Sequence, residues 1–337
     1  MKEAVLYDKL ADSRVQCHLC AHRCTIKPDH VGICAVRENR GGTLYSLVYG
    51  RPISVAVDPI EKKPLFHFYP GTTSFSIATV GCNLRCRFCQ NADISQWPRE
   101  RKQIAGDPLT PEAAVHAARD HRCRSVSYTY TEPTVFAEYA RDIAAIAHQE
   151  GLANCYVTNG FMTPEMLDYF YPLLDAANVD LKSFRDDFYK EQCGARLQPV
   201  LDNLKRMVQQ RVWVEVTTLL IPDLNDGDDE LREIAGFIVQ ELGPQVPWHI
   251  SRFHPTYEML DHPPTPIQTL HRAKEIGLAA GLRYVYEGNV PGAGGEDTAC
   301  PQCGRIVIHR FGFRVLEYAL REGHCLHCGA TVDGVGL

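Results

Sequence analysis

The sequence has no long hydrophobic run. No apolar stretch in its 337 residues approaches the roughly 18 needed to cross a bilayer, so no membrane span is expected. It also has no excess of positive charge. At a net charge of −6 it is not expected to coat nucleic acid through phosphate contacts, although a local basic site is compatible with that total. The first fifteen residues carry acidic side chains and no apolar core of signal-peptide length, so a cytoplasmic location is expected. A hydrophobic fraction of 45% against 23% charged residues suits a soluble globular chain, with length for one large domain plus appendages or two ordinary domains.

Cysteine, by contrast, is plentiful. Most of the 14 fall into tight C-x2-C or C-x3-C groups, which in a reducing compartment read as metal ligands rather than disulfides. Cys123, Cys155 and Cys193 stand apart and read as buried thiols. The central group is Cys82, Cys86 and Cys89, spaced C-x3-C-x2-C within Gly81-Cys-Asn-Leu-Arg-Cys-Arg-Phe-Cys-Gln-Asn91. Three thiolates on one loop leave a position of a four-metal cluster without a protein ligand, and the nearest downstream histidine or cysteine is His116. An iron with an open site can bind a small molecule and pass it an electron. The spacing, with Phe88 before the last cysteine, resembles the signature of the radical S-adenosylmethionine (SAM) superfamily.

Each end of the chain carries a further group. Cys17, Cys20, Cys24 and Cys34, interleaved with His18, His22 and His30, lie in a segment too short to bury a core of its own. They suit either tetrahedral zinc or an auxiliary iron–sulfur cluster. Near the other end, Cys300-x2-Cys303-Gly and Cys325-x2-Cys328-Gly form a four-thiolate pattern of zinc-ribbon type, with a rubredoxin-like iron as the alternative. Between these pairs, Val307 to Arg314 interleaves basic and aromatic side chains, which suits either a ribbon hairpin or a surface that stacks on bases or grips a partner.

From Gly50 to Gly71 four prolines are expected to break any regular element, and Lys62, Lys63 and His67 are candidate substrate-side groups. From Ser74 a strand–helix rhythm sets in. Strands are predicted at Ser74–Val80, Ser125–Thr131, Asn154–Thr158, Asn178–Ser183, Val212–Leu220 and Trp248–Arg252, with a closing strand at Leu282–Glu287. Amphipathic helices are predicted between them, three with Thr-Pro starts at Thr110, Thr163 and Thr265. This alternation predicts an α/β fold, an incomplete (β/α)6-type TIM barrel, with a doubly wound sheet as the alternative. The expected modules are residues 1–50, cysteine-rich; 51–290, the partial barrel; and 291–337, the ribbon-like tail.

In such a barrel, site residues project from the carboxyl ends of the strands. The expected cofactor-binding residues are Phe88, Glu132 at Tyr128-Thr-Tyr-Thr-Glu-Pro133, Asn159 at Thr158-Asn-Gly160, Asp180 and Lys182 at Asp-Leu-Lys, and His249. Glu132 matches the acidic residue of a family segment that receives the amino group of SAM, where Tyr130 and Thr131 replace the usual glycines. Thr-Asn-Gly, Asp-Leu-Lys and the later histidine, in this order after Cys89-Gln-Asn91, resemble activating enzymes of glycyl radical proteins such as pyruvate formate-lyase. Across nearly the whole length the chain is more similar to the radical SAM component of the AmmeMemoRadiSam system. These resemblances imply a 4Fe–4S cluster held by Cys82, Cys86 and Cys89, SAM as cofactor, and hydrogen abstraction from a protein, RNA or metabolite by a 5′-deoxyadenosyl radical. They also imply an external electron donor such as a flavodoxin or ferredoxin. Activation of a glycyl radical protein is an alternative, as is a non-catalytic RNA- or protein-binding adaptor.

Overall fold

The computed structural model describes residues 1–290, 292 and 294–337; the expected start of the tail at position 291 lies outside them. Among the described residues the largest sheet has eight strands: β1 (Ser54–Pro59), β2 (Thr73–Ala78), β3 (Ser125–Tyr128), β4 (Ala153–Thr158), β5 (Ala176–Asp180), β6 (Trp213–Leu220), β7 (Trp248–Arg252) and β8 (Val285–Gly288). From β2 onward they are parallel and lie side by side in chain order. A doubly wound sheet would reverse its order part-way, so that alternative is excluded. Buried residues dominate these strands on both faces, as expected for a parallel sheet covered by helices.

The connecting helices are α1 (Pro111–Asp120), α2 (Ala137–Gln149), α3 (Pro164–Phe170), α4 (Gln198–Gln209), α5 (Asp228–Phe237) and α6 (Ile267–Ala279). Two of the three expected caps form: Thr110 accepts from the Ala113 N–H at 3.2 Å and Thr163 from the Met166 N–H at 3.1 Å. Thr265 does not cap α6. Its hydroxyl is turned to the sheet, donating to the Leu220 carbonyl at 2.6 Å and accepting from the Phe253 N–H at 2.9 Å.

The proline-rich stretch differs from expectation, because residues 54–59 form β1, the antiparallel edge strand beside β2. Its prolines flank the strand or lie at its last position, so the ladder survives them. The chain then runs back as a strap into the sheet interior. Ile60, Leu65 and Phe68 pack with Cys155 of β4 and Ala176 of β5. The Glu215 carboxylate accepts from the Phe66 and His67 N–H groups at 3.0 and 2.8 Å, and the Asn178 amide donates to the Pro64 carbonyl at 2.8 Å.

At the amino end, Val15, Leu19, Ile26, Val36, Leu44 and Val48 join the same apolar core as the helices and strands of the main sheet. The tail has its own small core, containing Phe66, Tyr284, Tyr286, Val307, Ile308 and Leu320. Its hairpin, β9 (Ile306–Phe311) with β10 (Arg314–Tyr318), leaves Phe311, Phe313 and Leu316 exposed. Arg310 points inward instead, donating to the Phe66 carbonyl and the Thr298 hydroxyl, both at 2.8 Å, with its Nε 3.6 Å from buried Glu61. Removing one partner of a buried ion pair leaves the other charge uncompensated. Arg310→Ala is therefore expected to cost about 3–5 kcal/mol and to free the tail for proteolysis, measured by chemical denaturation and limited digestion.

Candidate metal and cofactor site

The loop after β2 reverses at Gly81, whose φ of +99° favours glycine. A Cβ there would lie 2.5 Å from Val36 Cγ1 and 3.1 Å from the Cys34 carbonyl oxygen, so glycine also lets the amino-terminal segment pack against the loop. The loop docks on a turn at Tyr189–Cys193 through backbone bonds, Arg85 N–H to the Cys193 carbonyl (2.8 Å) and Arg87 N–H to the Gln192 carbonyl (3.0 Å). Arg99 clamps it from the other side, donating to the carbonyls of Cys82 at 2.8 Å, Leu84 at 2.7 Å and Ile33 at 2.9 Å.

The thiols of Cys82, Cys86 and Cys89 do not all lie within 4.8 Å of one another; among the described residues only the tail quartet meets that distance. One tetrahedral ion with bonds of about 2.3 Å needs its sulfurs roughly 3.8 Å apart. The triad is therefore too open for a lone zinc and suits a cluster of several metals. Burial pushes the Cys82 thiol well above its ordinary pKa, reinforced by nearby Glu132 and Cys86. Contact with Cys193, then burial, does the same for Cys86. Burial also raises Cys89, while Ser95, 3.3 Å away, partly opposes it. Three thiolates become tenable here only beside a cation-rich group, and the Asn83 side-chain nitrogen is buried without a partner in the same loop. A thiolate-held iron–sulfur cluster fits this donor set.

Several expected site residues converge on the loop. The Asn159 amide donates to Asn83 Oδ1 at 2.8 Å and lies 3.8 Å from the Cys82 sulfur. Lys182 pairs with Asp180 at 2.9 Å, and its Nζ stands 5.9 Å from the Phe88 ring centre. Burial alone would lower the Lys182 pKa, but Asp180, Cys86 and Cys193 hold it well above the usual lysine value, so the ammonium stays charged beside the triad.

Glu132 is buried, and its carboxylate is committed within the protein. Oε1 accepts from the Thr134 N–H (3.0 Å) and hydroxyl (2.5 Å) and the Thr158 hydroxyl (2.8 Å), while Oε2 accepts from the Asn159 N–H at 2.8 Å. Its geometry makes it a tie between the ends of β3 and β4 that positions Asn159. Burial raises its pKa, against the opposing effect of these donors.

Others are engaged within the interior. His249, level in the sheet register with Asp180 through Thr217, is buried, bonded to Glu215 at 2.6 Å and stacked on Tyr286. His67 is buried between Tyr286 and the Asp333 carbonyl. Lys63 is buried against Asp58 at 2.7 Å, whereas Lys62, 2.9 Å from the same carboxylate, keeps partial exposure.

Sequence reasoning missed Arg99, Asn83, Asn91 and the contact of Cys193 with Cys86. It also missed the role of Tyr130, whose φ of +64° is the left-handed conformation that favours glycine. Departure from the glycine usual at that position was the available signal. Tyr130 uses the strained backbone to offer its carbonyl to the Asn91 amide at 2.9 Å, while its hydroxyl donates to Asp58.

The tail cysteines are compact. Cys300 and Cys328 sulfurs lie 3.6 Å apart, Cys303 and Cys325 3.9 Å, and all four fall within 4.8 Å. Each knuckle closes on a glycine: the Gly304 N–H donates to the Cys300 carbonyl and the Gly329 N–H to that of Cys325. This is single-ion geometry. Two surface grooves lie elsewhere, one between Trp213 and Val335 and one between Pro59 and Phe313, where no cysteine contributes. Thiol chemistry rather than cavity size locates the site.

A parallel α/β sheet carries a three-cysteine loop at its carboxyl edge, the donor set of a metal–thiolate site. A family model described as the radical SAM superfamily matches residues 76–238. An uncharacterized protein of Methanocaldococcus jannaschii is 46% identical over 335 residues, 99% of each chain. The pyruvate formate-lyase 1-activating enzyme of Escherichia coli strain K12 is 24% identical over 221 residues, 61% of this chain and 89% of that one. The crystal structure of a radical SAM methyltransferase from Sphaerobacter thermophilus shares the fold, with a TM-score of 0.52 and 19% identity over 68% of this chain and 71% of that one. The chain belongs to the radical SAM superfamily and is distantly related to the pyruvate formate-lyase activating enzymes.

Two outcomes follow from this geometry. In Glu132→Gln the new amide NH2 must face donors at one of the two oxygen positions. We expect stability to fall by about 1–3 kcal/mol and SAM affinity with it, with iron content unchanged, measured by denaturation, calorimetry and iron assay. Burial would raise the Asp58 pKa, but bonds from Lys63, Tyr130 and Lys62 outweigh it and hold the carboxyl well below its usual range. Burial lowers Lys63 to about 8 although Asp58 opposes this, so the contact favours the carboxylate more than the ammonium, and both are charged at neutral pH. A depressed carboxyl pKa stabilises the fold above its unfolded value of about 3.9 and loses that effect as pH falls. The stability gap between parent and Asp58→Asn should therefore shrink as the pH falls below about 4, read from denaturation midpoints against pH.

Proposed function

We propose that this protein is a 4Fe–4S-dependent radical SAM enzyme whose cluster is held by Cys82, Cys86 and Cys89 at the mouth of a partial barrel. The observation that carries this reading is the gathering of an open three-thiol loop, Asn159 and the Asp180–Lys182 pair at the carboxyl edge of one parallel sheet. When bound, the cluster supplies the electron that splits SAM reductively, and the radical released removes hydrogen from the substrate.

The residues of the chain have separate tasks. Asn159 offers its side-chain amide at the Cys82 side, Glu132 holds the Asn159 backbone N–H from behind, and Lys182 places a positive charge beside Cys86 and Phe88. Asp58, Lys63, Tyr130 and the strap fill the interior, which keeps water from the reacting groups. The tail quartet is read as zinc, giving modules at 1–50, 51–290 and 291–337. A cytoplasmic location and a flavodoxin- or ferredoxin-like electron donor accord with this chemistry. The cysteine groups at the two ends are more than an activator of a glycyl radical protein needs, which favours a different substrate.

The test is reductive cleavage of SAM by anaerobically reconstituted protein. We expect 5′-deoxyadenosine from the parent and none from Cys86→Ala, while Cys300→Ser loses about one zinc and still cleaves SAM. Full cleavage by Cys86→Ala would refute the assignment, and absence of cleavage by the parent would favour a non-catalytic adaptor.

A further inference from the structure

Cys17, Cys20, Cys24 and Cys34 line one small enclosed cavity, whose other walls are Leu19, Ile26, Val135, Gly32 and the side chain of Arg37. The interleaved histidines are used elsewhere: His18 with Asp8 and Arg23, His22 with the Asn83 carbonyl, His30 with the Pro28 carbonyl. That leaves an all-thiolate donor set in an apolar enclosure.

Zinc does not suit its dimensions. The tail quartet shows what a single-ion site looks like in this chain, with sulfur pairs at 3.6 and 3.9 Å and all four within 4.8 Å. Among the described residues no three thiols of the amino-terminal quartet come that close, although all four face the same cavity. Four thiolates around a space wider than one ion's coordination sphere match a polynuclear cluster with four cysteine ligands. Arg37 adds an independent sign. It is 1% exposed, its terminal nitrogens are spent on Glu138 at 3.0 and 2.7 Å, and its Nε has no partner although the side chain lines the cavity. A buried N–H is seldom left unpaired, and the sulfur of a cluster is an acceptor for it.

The quartet also abuts the central loop. His22 reaches the Asn83 carbonyl at 2.8 Å, the Cys34 carbonyl packs on Gly81, and Arg99 bridges the Ile33 and Cys82 carbonyls. We propose that Cys17, Cys20, Cys24 and Cys34 hold a second, polynuclear iron–sulfur cluster, packed one residue layer from the Cys82–Cys86–Cys89 site. Its adjacency to that site rests on the function proposed above; its existence does not.

The test uses the full chain with Cys82, Cys86 and Cys89 all replaced by alanine, reconstituted anaerobically with iron and sulfide. About four irons per chain and an electron paramagnetic resonance signal on dithionite reduction are expected, against about eight irons in the parent. Adding Cys34→Ala should abolish both while the far-ultraviolet circular dichroism and denaturation midpoint stay near those of the triple variant, which shows that the chain is still folded. Only zinc, or no iron, in the triple variant would overturn the proposal. In the parent, spin–spin broadening that vanishes in either single-cluster variant is expected; two independent signals would overturn the adjacency. The iron of the triple variant is counted without SAM cleavage. Failure of the enzyme reading would instead appear as a parent that holds both clusters and makes no deoxyadenosine.

Discussion

Three half-buried thiols gathered on one loop at the edge of a sheet are unstable neighbours, and much of the structure serves to hold them there. Arg99 ties the carbonyls of Cys82 and Leu84 to that of Ile33, so one guanidinium fixes the cysteine loop and the amino-terminal segment together. Asn91 binds the Tyr130 carbonyl and Asn159 binds Asn83, which fastens the same loop to the ends of β3 and β4. Lys182 contributes the charge of opposite sign. These bonds pre-set the ligands before any metal arrives, the condition for a site that must keep its geometry through a change of charge.

The sheet interior answers a second need. Strands carrying Ser74, Ser76, Ser127, Cys155 and Ala176 leave room inside, and the strap after β1 fills it with Leu65, Phe66, His67 and Phe68. Glu215 pins that strap through its backbone, and Arg310 reaches in from the tail to the Phe66 carbonyl. The tail is thus joined to the main sheet by buried polar contacts, and its four cysteines close only the outer knuckles.

The seven parallel strands were legible in sequence because buried β-branched runs alternate with amphipathic helices, and the cysteine groups because their spacing is specific. β1 was not, since an edge strand of six residues between prolines has no periodicity to set against the breakers. Thr265 was misplaced because a hydroxyl before a proline looks alike in sequence whether it caps the helix or bonds a buried carbonyl. Glu132 shows the limit most clearly. Its position at a strand end was readable, but its four donors come from Thr134, Thr158 and Asn159, residues whose proximity depends on the fold. Arg99 had no signal, because its partners in the cysteine loop and the amino-terminal segment are main-chain carbonyls.

The central claim is that SAM binds at the metal held by Cys82, Cys86 and Cys89. The most direct measurement is electron paramagnetic resonance of the reduced protein lacking Cys34, so that only the central site contributes, before and after adding SAM. A shift in the g-values of the cluster on addition of SAM is predicted. A spectrum unchanged by saturating SAM, with binding shown independently by calorimetry, would contradict the account.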